Sequence, residues 1–200
     1  MTSKSVTKLD YKKAIQSLNL FAKKDGGEIN KMKALKLLYF AERYHLRKYG
    51  RLITNDTYCA MKNGAVPSVT MDIIDDDPYI EEQPKKYASK YITGKGHDLL
   101  SKAPIDDNVF SDSDMEALEF AWNKFGHIDR FKLAKMTHDY PEWIKHKHVA
   151  IENSSAIMDL IDFFDDPTKN IEPCYSLNDE DRNLKRDYFK EISQLVALWR

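Results

Sequence analysis

Apolar residues recur at helical spacing over most of the chain, and this periodicity predicts a mainly helical protein. A first helix is expected to begin after Asp10, because aspartate caps helix N-termini well. Asn30 is expected to cap a longer helix over residues 31–49, with Gly50 as its stop. That helix is apolar on much of its circumference, so we expect it to be buried at the centre of the protein.

Beyond this helix the pattern becomes mixed and shorter in period. Residues 52–62 predict an extended element in which 58–61 is the best strand candidate, and Asn63-Gly64 marks a turn. A short helix is expected over residues 68–74. Residues 86–101 predict a second β element, a hairpin about the Gly-Lys-Gly sequence within it.

Further helices are expected in the second half of the chain. They run from Ser111 to Gly126, from Asp129 to Pro141, over residues 154–164 with Ser154 or Ser155 as the cap, and from Asn178 or Asp179 to the end. There is no internal repeat and no low-complexity linker, so we expect one domain over residues 1–200. The expected fold class is mainly α (α+β), a compact bundle of about six helices with a small β element near residues 52–62 and 86–101.

Composition sets the broad class of protein. The chain has 200 residues, of which 42% are hydrophobic, enough for a core that needs no disulfide or metal. Two cysteines make neither a disulfide framework nor a four-ligand zinc site. No apolar run approaches the ~20 residues that span a bilayer. We therefore expect a soluble cytoplasmic protein with no membrane partner.

Charge is distributed unevenly along the chain although the net charge is only −1. Residues 1–50 carry twelve Lys/Arg against four Asp/Glu, and the remainder carries nineteen against twenty-eight. Two interpretations stay open at this point. Either the two parts pack together and neutralise each other, or the first part is a basic surface for a nucleic acid or an acidic partner.

The sequence offers few candidates for catalysis or metal binding. It has no dinucleotide-binding, P-loop, nucleophile-elbow or zinc-protease motif. His138, His146 and His148 lie in a lysine-rich loop and are expected to be solvated. His45 and Cys59 are expected to be structural, the first hydrogen-bonded in a helix and the second a small buried side chain. We expect no enzyme activity, no cofactor and no metal; a hydrolase at His45 and Cys59 is the marginal alternative.

Residues 115–140 have the outline of a helix-turn-helix, a DNA-binding motif. Arg130, Lys132 and Lys135 would lie on the second helix, where a reading helix carries its basic side chains. A helical pair is also a common way to bury two apolar faces. DNA binding is therefore kept as the alternative function.

Two blocks of sequence, in order and sensibly spaced, carry a recognisable motif. The first is "KLLYFAERYHLRKYGR" followed by "AMKNGAVP", and the second is "GHIDRFKLAKMTHDYPEW". Within core blocks of about 31–67 and 111–145, they resemble the Panacea domain, the SocA-like antitoxin or phage-associated-protein family. The residues that fill the pattern are Lys36, Leu37, Leu38, Tyr39, Ala41, His45, Leu46, Tyr49, Gly50, Arg51, Gly64, Val66, Pro67, Thr137, His138, Pro141 and Trp143.

The sequence departs from the family pattern at two points. Ala65 stands where the family usually has proline, which predicts a less rigid turn. Glu142 separates Pro141 from Trp143. Neither departure changes the expected fold.

The resemblance implies an antitoxin without catalytic activity, in a family found in mobile elements and prophages. Such a protein neutralises a cognate toxin by direct binding, and in at least one branch it hands the toxin to a protease. Antitoxins often also repress their own operons, so operon DNA is a further possible partner. The resemblance does not fix the oligomeric state.

A surface that binds another protein relies on exposed aromatic and arginine side chains. The candidates that we expect to be exposed are Tyr49, Arg51, Tyr58, Trp143 and Trp199. Trp199 lies in the last helix, for which three roles stay open. That helix docks on its own domain, forms a dimer, or holds the toxin.

Overall fold

The computed structural model describes residues 8–152, 154–167 and 176–198 and confirms a mainly helical fold with small antiparallel sheets. Among the described residues the helices are α1 (Tyr11–Lys24), α2 (Lys31–Tyr49), α3 (Ser68–Ile74), α4 (Glu82–Tyr91), α5 (Asp112–Phe125), α6 (Arg130–Thr137), α7 (Pro141–Ile144), α8 (Lys147–Ile151) and α9 (Asp179–Leu198). The strands are β1 (Glu28–Asn30), β2 (Tyr58–Met61), β3 (Gly64–Pro67), β4 (Ile92–Lys95), β5 (Asp98–Ser101) and β6 (Ala156–Ile157), and Asp107–Val109 and Leu160–Phe164 are 3-10 helices.

Helix α2 is the centre of the fold, as its apolar circumference predicts. Every residue from Ala34 to Arg47 is buried, and α1, α5, α6 and α9 pack around it. Gly50 ends the helix in the left-handed conformation (φ 69°), as expected. The predicted cap at Asn30 is wrong in detail, because the Asn30 side chain makes no cap bond and donates instead to the main-chain oxygen of His97 at 3.0 Å.

The other helix starts follow the local sequence closely. The Ser111 hydroxyl accepts from the main-chain N–H of Asp114, and the Asp114 carboxylate accepts from that of Ser111, which makes a capping box at α5. Asp10 and Asp129 cap α1 and α6 with their side chains. These three predicted helix starts are confirmed.

Two small sheets flank α2. In one, the strand order is β1-β5-β4; in the other it is β3-β2-β6, and all pairs are antiparallel. Both predicted β elements are confirmed, but each is shorter than expected. Strand β2 begins only at Tyr58, and residues 86–91 belong to α4 rather than to the hairpin.

The predicted helix over residues 154–164 is wrong. Ala156 and Ile157 form β6, which pairs with Ala60 and Cys59 of β2, and a 3-10 helix follows at Leu160–Phe164. The pairing with β2 satisfies main-chain groups that a helix would have satisfied internally. Tertiary pairing therefore overrides the helical periodicity of this segment.

Two buried arginine side chains of α2 connect this helix to residues 164–166, at the end of the second 3-10 helix. Arg43 donates to the main-chain oxygen of Asp165 at 2.5 Å, and Arg47 donates to the main-chain oxygen of Phe164 and to the Asp166 carboxylate. Asp165 and Asp166 therefore anchor two buried arginines of the central helix. Their carboxylates also pair with arginines of α9.

Helix α9 docks on its own domain along one face. Phe189 packs near Phe164 with ring centroids 6.0 Å apart, and Arg182 pairs with Asp166. Beside this contact the helix exposes the apolar side chains Leu184, Tyr188, Ile192, Leu195 and Leu198, and half-exposed Tyr188 lies close to Gly50. In the part of the chain that the structure describes, no helix is both long enough and apolar enough to cross a membrane.

Candidate functional site

A groove of about 770 Å³ lies beside the N-terminal half of α2. Its walls are the start of α2, the β2–β3 hairpin, α3 and the start of α6, with Ser154 and Ser155 at one end. We refer to this concavity as the α2 groove. Its position between four elements makes it the candidate functional site.

The β2–β3 hairpin is held against α6 by a close approach at Gly64. This residue has φ 92°, and a β-carbon there would lie 2.1 Å from the Thr137 hydroxyl oxygen. That hydroxyl accepts from the main-chain N–H of Ala65 at 3.1 Å and donates to the main-chain oxygen of Ala134 at 2.7 Å. The family-motif residues Gly64 and Thr137 therefore fix one wall of the α2 groove.

Trp143 supports the same hairpin from α7. Its indole N–H donates to the main-chain oxygen of Met61 at 3.0 Å, and its ring stacks on His138 with centroids 4.0 Å apart. Pro141 begins α7, so it starts a helix rather than stopping the one before it. Ala65, which stands where the family usually has proline, is buried in β3, and its main-chain N–H donates to Thr137.

Lys36 lines the α2 groove with a fully buried side chain. Its ammonium donates to the main-chain oxygen of Ala65 at 2.6 Å, and no described carboxylate forms an ion pair with it. Burial lowers its pKa from 10.5 to about 7. The sequence signal for this site is a lysine between Leu35 and Leu37 in an apolar helix, although the sequence predicts Lys36 only as a family-motif residue.

The rest of the lining combines half-buried methionine side chains with exposed side chains at the edge of the groove. Met32, Met61 and Met71 are half-buried along the groove. Phe131 is 64% exposed at its edge, and the Arg130 guanidinium lies 4.8 Å from the centre of the Phe131 ring. Such a lining suits a partner with apolar side chains and negative charge.

Two of the residues that we expected to be exposed are buried, so that expectation is wrong for them. Tyr58 is 1% exposed because its side chain packs between Tyr39 and Phe163, with centroid separations of 6.2 and 5.5 Å. Trp143 is 3% exposed because it supports the hairpin. Neither side chain offers an exposed surface to a partner. Trp199 lies outside the described residues.

Tyr49 and Arg51 are at the surface but occupied by contacts with α5. The Tyr49 hydroxyl donates to Glu116 at 2.5 Å, and Arg51 donates to the Ser113 hydroxyl at 2.6 Å. Both residues therefore attach the end of α2 to the start of α5. They lie outside the α2 groove, so the structure does not bring the five candidates together.

Arg130, Lys132 and Lys135 are all exposed on α6, as a DNA-contacting face requires. Leu133, Ala134 and Thr137 are buried on the opposite side of the helix. The two helices of the candidate motif, α5 and α6, are separated by residues 126–129 as expected. Helix α6 has only eight residues and ends at Thr137, earlier than the expected end at Pro141.

The groups that we considered for chemistry have structural partners. The His45 Nδ1–H donates to the main-chain oxygen of Arg51 at 2.8 Å, which leaves Nε2 to accept from Ser113 at 3.1 Å. Burial lowers the pKa of His45 to about 4. Cys59 is buried in β2, where burial raises the pKa of its thiol. The histidine is hydrogen-bonded within the fold and the cysteine is buried, as expected for both.

Two buried carboxylates fix the loop after α2. Glu42 accepts from the main-chain N–H groups of Ile53 and Thr54 at 2.8 Å, and burial raises its pKa to about 7. Asp56 accepts from the N–H groups of Val69 and Thr70 at the start of α3, and burial raises its pKa to about 6.

Within the described ranges, no group of three His, Cys, Asp or Glu residues has the arrangement of a metal site. The expected solvation is wrong for His138, which is half-buried against Trp143, and holds for the exposed His148.

The fold and the groove define a mainly helical domain built around one buried helix. The chain belongs to the family described as "Antitoxin SocA-like, Panacea domain", whose family model matches residues 35–144. The match covers more than half of the chain and includes both motif blocks, so the resemblance inferred from the sequence is confirmed. Comparison with curated proteins and comparison with solved structures gave no match.

Proposed function

We propose that this protein is a non-catalytic antitoxin that neutralises a cognate toxin protein by binding it directly at the α2 groove. The observation that carries the proposal is the family match over residues 35–144. Most of the groove lining comes from this span, including Leu35, Lys36, the hairpin and Phe131. The exposed stripe of α9 begins at Leu184, outside the matched span. The groove is therefore the better candidate for a function that belongs to the family domain.

The physical character of the groove supports protein binding. Methionine side chains adapt to varied apolar surfaces, and exposed aromatic and arginine side chains dominate the energetics of many interfaces. Met32, Met61, Met71, Arg130 and Phe131 bring these types together in one concavity. A site of this kind binds through shape and charge, and we expect it to act on a toxin in the cytoplasm.

The central experiment is co-expression with the product of the neighbouring gene. We expect the wild-type chain to restore growth and to co-purify with that product. Phe131→Glu should abolish both effects, because it places a charge at the edge of the groove. Tyr79→Glu is the matched control, since Tyr79 is 95% exposed and does not line the groove. Absence of both rescue and co-purification for the wild-type chain would contradict the proposal.

Non-catalytic action has its own test. Purified antitoxin is titrated against a fixed amount of toxin while toxin activity is measured. A binding protein should give inhibition that is complete near equimolar amounts and reversible on dissociation. Inhibition at a small fraction of the toxin concentration, with permanent modification of the toxin, would identify an enzyme instead.

The same co-expression strain separates simple masking from delivery to a protease. If the protein masks the toxin, toxin levels stay constant and rescue persists in a protease-deficient host. If it acts as a proteolytic adaptor, toxin levels fall during rescue and both effects disappear in that host. Toxin abundance on a blot is the measurement.

Binding to DNA is a second candidate function. The observation that favours it is the simultaneous exposure of Arg130, Lys132 and Lys135 on α6. A gel shift with the operon's own promoter should then weaken steeply as salt rises, because neutralising phosphates releases counterions. The triple variant with all three residues changed to Gln should lose the shift. A flat response up to micromolar wild-type protein would remove this candidate.

A further inference from the structure

We infer that the α2 groove receives an acidic segment of the partner protein, in which an Asp or Glu side chain forms an ion pair with Lys36. The inference rests on the proposed function, because it names the chemistry of the protein that the groove binds. It adds a specific anchoring residue and a specific feature of the partner.

The first observation is the incomplete bonding of Lys36. An ammonium group has three N–H donors, and the structure gives it one acceptor, the main-chain oxygen of Ala65 at 2.6 Å. A buried charge is costly unless it is paired, and no described carboxylate pairs with this one. Its lowered pKa reflects the same cost. An incoming carboxylate would supply the missing counter-charge.

The second observation is an unused acceptor in the same groove. The Asn30 amide nitrogen donates to the main-chain oxygen of His97 and to Asp98, both at 3.0 Å. Its side-chain oxygen is buried and accepts no hydrogen bond. Asn30 and Lys36 both line the groove, so one wall offers a free acceptor as well as unpaired donors. A main-chain N–H of a bound segment would satisfy that oxygen.

The third observation is the charge of the groove's edge. Lys62 and Arg130 are exposed there, and neither forms an ion pair with a described residue. Lys31 and Asp75, which also line the groove, pair with each other at 2.8 Å. The unpaired charge of the groove is therefore positive, which favours approach of an acidic segment.

The lining favours a protein over a nucleic acid. A phosphate backbone is bound by exposed cations spaced along a polar surface, with affinity set by the number of phosphates neutralised. Here the central cation is fully buried, so a single carboxylate on a flexible side chain reaches it more easily than a polymer of phosphates does. Met32, Met61 and Met71 also line the groove, and their unbranched side chains can change rotamer to admit a carboxylate to Lys36.

The experiment pans the full chain against a phage-displayed library of random twelve-residue peptides. We expect the retained peptides to share an Asp or Glu flanked by apolar residues. Lys36→Met should weaken binding of a retained fluorescent peptide by at least about thirtyfold, since removing one partner of a buried ion pair is costly. The matched control is Lys12→Met on the exposed face of α1, which should bind like the wild type. Retained peptides without an acidic residue, or equal binding by Lys36→Met, would overturn the inference.

Two further arms complete the test. Arg130→Glu repels an acidic peptide without changing the core, so it should weaken the same peptide; unchanged binding counts against the inference. If a single-stranded oligonucleotide binds the wild type but not Lys36→Met, the groove binds a nucleic acid rather than a protein, and the inference is overturned. The library result does not depend on the neighbouring gene product. If wild type and Lys36→Met both rescue growth equally, the inference fails while the proposed function stands.

Discussion

A β-carbon on Gly64 would lie 2.1 Å from the hydroxyl oxygen of Thr137, closer than any two such atoms can approach. The main-chain oxygen of Ala134 lies 2.8 Å from the same position. The hairpin and α6 can meet at this distance only because residue 64 has no side chain. This contact sets one wall of the α2 groove, and it explains why glycine occupies this place in the motif.

Gly64→Ala is therefore expected to destabilise the protein by roughly 3 kcal/mol. The left-handed backbone accounts for about 1–2 kcal/mol and overpacking against Thr137 for the rest. Urea unfolding followed by circular dichroism measures the change in the free energy of unfolding. Gly96→Ala is the matched control, because Gly96 also has a positive φ (60°) but no atom within 4 Å of its β-carbon position. Equal losses in the two variants would show that the close approach contributes nothing.

Local sequence signals were sufficient for most of the fold. The central helix, its glycine stop, the capping residues Ser111 and Asp129 and the turns of the two hairpins all have a signal in the nearby sequence. The segment over residues 154–164 failed because its structure depends on pairing with β2, about a hundred residues earlier. Long-range pairing leaves no periodic signal in a short apolar segment.

The candidate site was harder to predict than the fold. Tyr58 and Trp143 lie beside polar or charged residues in sequence, yet both pack inward in the structure. Aromatic residues in a short segment give no indication of which side faces the core, and only tertiary packing decides this. The burial of Lys36 could not be predicted either, because lysine side chains are almost always exposed and the helical spacing alone does not mark one as buried.

Glu142, the residue that departs from the family pattern, is part of a buried polar cluster. It accepts from the Tyr39 hydroxyl at 2.5 Å and from the Arg43 Nε–H at 3.0 Å. Glu142→Gln should lower the free energy of unfolding by about 3 kcal/mol, because it removes the carboxylate of a buried ion pair. Urea unfolding at pH 7 checks this. Glu82→Gln, which loses only an exposed contact with Lys86, should cost less than about 0.5 kcal/mol.

Lys36 predicts a distinct pH dependence of stability. Its pKa is about 7 in the folded protein, against the ordinary lysine value of 10.5 expected in the unfolded chain, so the unfolded chain binds more protons between these values. The contribution of the neutral Lys36 side chain to the free energy of unfolding is therefore complete above pH 10.5 and is lost as the pH falls to about 7. The free energy of unfolding of wild type relative to Lys36→Met should therefore rise from about pH 7 to about pH 10, by up to about 1.4 kcal/mol per pH unit.

At pH 7 itself, Lys36→Met should be at least as stable as the wild type, since it replaces a buried charge by an apolar side chain of similar length. Lys12→Met, with an exposed lysine, should give a difference that does not vary with pH. A constant difference for Lys36→Met across this range would mean that the ammonium is not buried in solution.

His45 predicts a loss of stability in acid. Burial favours the neutral ring and lowers the pKa of His45 from 6.5 to about 4, although the Nδ1–H bond to the Arg51 main-chain oxygen and the nearby Asp114 carboxylate both favour the charged ring. The contribution is complete above pH 6.5 and is lost as the pH falls to about 4, because only the unfolded chain takes up the proton in that window. The raised pKa values of Glu42 and Asp56 act in the opposite direction between about pH 4 and 7, so the total stability does not isolate the histidine. The difference between wild type and His45→Gln does isolate it, because the glutamine amide keeps a donor and an acceptor but does not titrate. That difference should fall by up to about 1.4 kcal/mol per pH unit from about pH 6.5 to 4, whereas His127→Gln, at an exposed site, should show no such trend.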